Sequence, residues 1–139
     1  MPDEGFRKWL EVEYMVMEDD HAVVEMNVRP EMQNLRNVAQ GGVVASLIDV
    51  AMATAAGGGN YDTRKRAMAT LELKVNYLAG ATGKRLKAVA DVIRAGSRTA
   101  VVRCEVFTDT GEVCAAGLGT FMTRRLHKTD PDNVEVPKG

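Results

Sequence analysis

Histidine and cysteine are scarce in this chain of 139 residues, with two of each, and neither sign of charge prevails: 18 Lys and Arg stand against 19 Asp and Glu. Each scarcity excludes something. Cys104 and Cys114 lie in apolar, strand-like segments without the CxxC spacing of a zinc or redox site, so they read as reduced core residues and no metal is expected. A net charge of −1 supplies no overall attraction to nucleic acid or to an anionic membrane. The opening Met1-Pro2-Asp3-Glu4 is acidic and no apolar stretch follows it, unlike a secretory signal, so the expected compartment is the cytoplasm. The charges are nevertheless sorted along the chain. Residues 1–62 hold four Lys/Arg against eleven Asp/Glu, and residues 63–139 hold fourteen against eight. A solvated surface ordinarily explains such sorting, and it leaves room for a localised anionic ligand.

At 45% hydrophobic and 27% charged, the composition is that of one globular domain over residues 1–139, with a core of about 9–123 and a polar tail from 124 onward. Residues 9–18 are rich in β-formers. Asp19-Asp20-His21 then turns the chain into a second such run, Ala22 to Val28, and the pair predicts a β-hairpin. Pro30 breaks this pattern, and residues 31–37 read as loop or a short helical turn. Four further strands are expected at 67–77, 84–94, 99–107 and 112–123, joined by glycine-bearing turns into an antiparallel meander. In the first of them Leu71, Leu73, Val75 and Tyr77 alternate with Thr70, Glu72, Lys74 and Asn76, the period of a half-buried strand.

Residues 42–56 differ in kind. They run Gly-Val-Val-Ala-Ser-Leu-Ile-Asp-Val-Ala-Met-Ala-Thr-Ala-Ala, apolar on nearly every face if helical, and Gly57-Gly58-Gly59 closes them. The run falls short of the roughly 20 residues of a membrane span, so the helix is expected to be buried on all sides by a sheet curled around it, an α+β domain. Such a sheet leaves long edges, which pairing with a second copy relieves. Asp49 at the middle of this helix is the anomaly, because a carboxylate in apolar surroundings is costly unless it is paired. Either it bonds a neighbouring donor for structural reasons or it serves chemistry. Ahead of the helix, Gln40-Gly41-Gly42 opens the backbone where free N–H groups and the positive dipole end favour an oxyanion, although a plain tight turn accounts for two glycines as well.

The segment from Asn34 through Gln40-Gly41-Gly42 to Asp49 resembles the signature of hotdog-fold acyl-CoA thioesterases of the phenylacetic-acid-degradation and 4-hydroxybenzoyl-CoA type. That family places an Asn or Gln six residues before His-Gly-Gly and an Asp or Glu nine residues after the His. The resemblance covers about residues 9–123 and implies a hotdog fold. The family's His is Gln40 here, and His21 and His127 lie outside the motif. In the family this His helps to position groups, and glutamine retains a donor and an acceptor for that. The resemblance implies that the thioester carbonyl rests on the N–H of Gly41, with Gly42 beside it. It further implies that Asp49 of a partner subunit attacks or activates water, that Thr70 orients that water, and that Asn34 holds Gln40 or the thioester. A rise of 1.5 Å per residue puts Asp49 about 12 Å along the helix from Gly41, too far for one helix to do both tasks on one carbon. A homodimer or homotetramer with a shared site is therefore expected.

Thr70 also fits a surface role from its alternation phase, and Asn34 a turn-making one. The phosphates of coenzyme A, which enters only as part of the substrate and not as a cofactor, call for Arg or Lys. Arg94 and Arg98, flanking Ala95-Gly96-Ser97, are the first choice, with Lys84-Arg85 and Arg124-Arg125 behind them. Ser46 reads as a packing residue, and the eight methionines as core filler with a minority lining an acyl pocket. The reading is hydrolysis of an aryl-acetyl or medium-chain acyl-CoA. A non-catalytic acyl-CoA-binding module is the alternative, and a hydratase of the same fold fits less well because the site offers no histidine.

Overall fold

The computed structural model describes residues 5–58 and 66–125. The elements, in chain order, are α1 (Phe6–Leu10), β1 (Glu13–Glu18), β2 (His21–Asn27), a 3-10 turn at Pro30–Met32, α2 (Gly41–Ala56), β3 (Arg66–Tyr77), β4 (Arg85–Ala95), β5 (Thr99–Phe107) and β6 (Val113–Arg125). The strands form one antiparallel sheet in the order β1-β2-β4-β5-β6-β3. One face of it carries α2, which touches all six strands.

Period two explains that face. Ala22, Val24 and Met26 of β2, Leu86, Ala88 and Ala90 of β4, and Ala100, Val102, Cys104 and Val106 of β5 are all buried, and the residues between them are more exposed. The helix contributes Val44, Leu47, Ile48, Ala51, Met52, Ala55 and Ala56 to the same core. It sits close to the sheet because β6 offers bare backbone beneath it. A Cβ on Gly117 would lie 3.0 Å from Cγ2 of Ile48, and one on Gly119 would lie 2.8 Å from Sδ of Met52.

Four expectations change. Trp9 and Leu10 belong to a helical turn rather than to the first strand: Glu11 caps it in the left-handed region at φ 55°, which lets Leu10 reach full burial despite the β-forming composition. The last four strands are not a simple meander. β4 has β2 on one side and β5 on the other, so β3 pairs instead with the free side of β6 and becomes a sheet edge. The helix is not buried on all sides within one chain, since Gly42 is exposed and Ala45, Ser46 and Asp49 are half-buried, one stripe at helical spacing left open. Arg124 and Arg125, assigned to the tail, are the end of β6, where they pair with Ala67 and Arg66; residues 126–139 lie outside the described residues, as does Gly59. The positive φ at the helix end belongs to Gly58, at 73°, and Gly57 stays helical.

Candidate active site

β3 runs along α2 with Met68 near the end of the helix and Tyr77 at its start. At one end a Cβ on Gly57 would fall 2.4 Å from Cε of Met68. At the other, the hydroxyl of Tyr77 donates to the carbonyl oxygen of Gly41 at 2.6 Å. Between them the hydroxyl of Thr70 donates to Oδ1 of Asp49 at 2.8 Å. Among the described residues this is the carboxylate's side-chain partner, and it holds Asp49 on the open stripe of α2.

Thr70 reaches the helix because β3 is irregular. Thr70 pairs with Phe121 and Glu72 with Thr120, so Leu71 is an extra residue, a β-bulge. The bulge reverses the alternation: Met68 and Thr70 face the helix before it, and Leu73 and Val75, packed on the core, follow after it. Strict alternation puts Thr70 with Glu72 and Lys74, and the bulge removes it from that set. Leu71, displaced, is 58% exposed.

At the start of α2 the carbonyl of Gln40 accepts from Val43 and Val44, at 2.9 and 3.2 Å. Among the described residues the N–H groups of Gly41 and Gly42 have no backbone acceptor, as expected for the first turn of a helix. The Gln40 side chain is exposed and makes no capping hydrogen bond. Two donors therefore remain at the positive end of a sixteen-residue helix, an arrangement suited to an oxygen that gains negative charge.

The other expected residues stand apart from these two clusters. Asn34 serves its own loop: Oδ1 accepts from the N–H of Arg36 at 2.8 Å and of Val38 at 3.5 Å, while its N–H donates to the Val38 carbonyl at 2.9 Å. That loop positions Gln40, whose N–H donates to the Met32 carbonyl at 2.8 Å. Arg94 and Arg98 are exposed around the β4–β5 turn, at the sheet end where Ala100 pairs with Phe121 and Phe121 with Thr70. Arg85 is committed elsewhere. It bonds Glu13 at 2.8 Å and Asn27 at 2.9 Å, and the guanidinium holds the Glu13 carboxyl below its ordinary range. The hydroxyl of Ser46 turns back to the Gly42 carbonyl at 2.8 Å, a packing arrangement. His21 bonds Asp91 at 2.7 Å on the opposite face of the sheet, and His127 lies outside the described residues. Among the described residues no three His, Cys, Asp or Glu gather as metal ligands, and no helix is long and apolar enough to cross a membrane.

Tyr77 was missed as a site residue. It stands in the alternating set of β3, but nothing local to the chain says that this set faces the helix at position 77 and not at 71.

Residues 37–115, which hold α2, β3 and β4 through the start of β6, match the thioesterase superfamily model. A putative esterase of Archaeoglobus fulgidus is 33% identical over 112 residues, covering 80% of this chain and 70% of that protein. The medium/long-chain acyl-CoA thioesterase YigI of Escherichia coli is 28% identical over 130 residues, covering 84% of each. Among solved structures, the conserved protein PA5202 of Pseudomonas aeruginosa superposes with a TM-score of 0.79 at 30% identity, over 87% of this chain and 94% of that one. With the family match spanning the helix, its glycine-opened start and the strand that holds Asp49, the chain belongs to the thioesterase superfamily, as a hotdog-fold thioester hydrolase.

Proposed function

We propose that the protein hydrolyses medium-chain or aryl-acetyl acyl-CoA at a site completed by a second copy of the chain. The observation that carries this is the separation of the two halves of the machinery: Asp49 with Thr70 at the middle of α2, the free N–H groups with Tyr77 at its start, and about 12 Å of helix between them. Both halves open onto β3, a twelve-residue strand at the sheet edge. An unpaired edge of that length, with Leu71 and Tyr77 more than half exposed on it, is a template for another strand. Two β3 strands paired antiparallel about a two-fold axis near Leu73 and Lys74 set Thr70 across from the partner's Tyr77. The same operation brings Asp49 toward the partner's Gly41, and the open stripe of α2 is covered.

In that geometry the thioester oxygen rests on the N–H of Gly41 and Gly42. Asp49, oriented by Thr70, takes a proton from water as the water oxygen attacks the carbonyl carbon, or attacks the carbon directly to give a mixed anhydride that water then cleaves to the free acid and the regenerated carboxylate. Charge collects on the held oxygen, then returns as the C–S bond breaks, and the departing thiolate takes a proton. The chemistry needs no resident cofactor. Arg94 and Arg98, exposed around the β4–β5 turn at the sheet end that carries Thr70, suit the phosphates of coenzyme A. The acyl-CoA substrate is supported by the E. coli relative, named a medium/long-chain acyl-CoA thioesterase, and the thioester chemistry by the superfamily match over residues 37–115, while the aryl-acetyl option rests on the resemblance of the Asn34–Asp49 segment. Release of free thiol from a ladder of acyl-CoAs tests the reading. Asp49→Asn is expected to cost about 10²–10⁴ in rate with folding intact, and Thr70→Val a smaller part of that. An inert wild type across the ladder, or a fully active Asp49→Asn, overturns it.

A further inference from the structure

We propose that Tyr77 is a positioning residue for the oxyanion donors, acting through the Gly41 carbonyl; the proposal rests on the hydrolytic reading above. The peptide unit that carries the Gly41 oxygen also carries the Gly42 N–H, and the phenol donates to that oxygen at 2.6 Å. Drawing electron density toward the oxygen polarises the amide, which makes the Gly42 N–H a stronger donor at its other end. The bond also fixes an amide plane that two consecutive glycines leave unusually free to rotate. The carbonyl accommodates this alongside its helical partner, because it has two lone pairs.

The ring does a second part of the same job. A Cβ on residue 41 would lie 3.3 Å from both Cζ and the hydroxyl oxygen of Tyr77 and 3.5 Å from Cε1, tighter than ordinary contact for the first two. The phenol therefore occupies the space that a side chain at 41 would take, and it packs against the bare backbone of the donor turn. No Cβ on Gly42 would meet any atom within 4 Å, so the turn is braced on one side and open on the other. Tyr77 remains 55% exposed. β3 sits at the sheet edge, where its last residue pairs with Ala115 on one side, so the hydroxyl couples the edge strand to the helix start. The bulge at Leu71 is what makes this available, since it brings Thr70 and, seven residues on, Tyr77 to the same face.

Tyr77→Phe keeps the ring and removes the single hydrogen bond. The bond acts on donors whose work grows as charge develops, so kcat is expected to fall about 3- to 10-fold with KM changed less than about 2-fold. The amide proton and nitrogen resonances of Gly42 are expected to move upfield in the free protein while those of distant strands stay in place. Tyr77→Leu, which removes the brace as well, is expected to lose more in kcat. An unchanged kcat in Tyr77→Phe overturns this proposal while leaving the hydrolytic reading intact. So does a loss that appears only in KM and in melting temperature with no Gly42 shift, which is the signature of a loosened edge strand. A wild type inert on every acyl-CoA removes both.

Discussion

Two inactive variants are expected to restore activity when they share a dimer. Asp49→Ala removes the carboxylate, and Gly41→Pro removes the N–H that meets the oxyanion. Proline is tolerated at the first helical position, and Gln40, at φ −57° and ψ 142°, already has the extended backbone that a residue before proline adopts. The new Cβ would stand 3.3 Å from the Tyr77 ring, which must yield by a few tenths of an ångström. Loss of one oxyanion donor costs about 10²–10³ in kcat and loss of the proton-transfer group about 10²–10⁴, so each parent retains about 1% or less. About half of the dimers formed by random reassociation are mixed. Each mixed dimer has one doubly damaged site and one site built from the intact Gly41 of one chain and the intact Asp49 of the other. The mixture is expected to recover about a quarter of wild-type activity, at least 25 times either parent, and the fraction is the same for a tetramer made of such dimers. The assay is thiol release after the two variants are unfolded and refolded together, with mixed dimers confirmed by native mass spectrometry. A mixture no more active than the mean of its parents, with mixed dimers present, refutes the shared site.

Gly117→Val is expected to destabilise the fold by about 1–3 kcal/mol in chemical denaturation, since the new atoms must enter a space already bounded by Ile48, Met52 and the Lys74 carbonyl. Burial, with smaller contributions from Glu105 and Asp91, pushes the Cys104 thiol from 9.0 up to about 12. The folded state therefore keeps a proton that the unfolded chain releases. Its contribution to stability is complete below about pH 9 and is lost as the pH rises toward about 12. Denaturation midpoints from pH 8 to 10.5 should fall more steeply for the wild type than for Cys104→Ala, and equal slopes refute this reading.

Local pattern settled the elements, and long-range pairing settled which of them meet. The strands at 84–94, 99–107 and 112–123 were legible because alternation of small and branched apolar residues needs only near neighbours, and β4, β5 and β6 follow them within a few residues. The helix from 42 was legible for the same reason, as were Asp49 and the paired glycines as its two unusual features. The strand order was not, because β3 beside β6 depends on which edge of β4 is taken first by β2. Nor was the face of Thr70: the extra residue at Leu71 exists only against Thr120 and Phe121, some fifty residues away. Tyr77 and its hold on Gly41 followed from that same bulge. The open stripe of α2 was hidden too, since a run of apolar residues states what a helix will bury and not whether its own chain or a second one covers it. Sequence by itself determined the periods, the helix and the chemical groups it carries; the tertiary structure decided their facing, because register and edge are properties of strands distant in the chain.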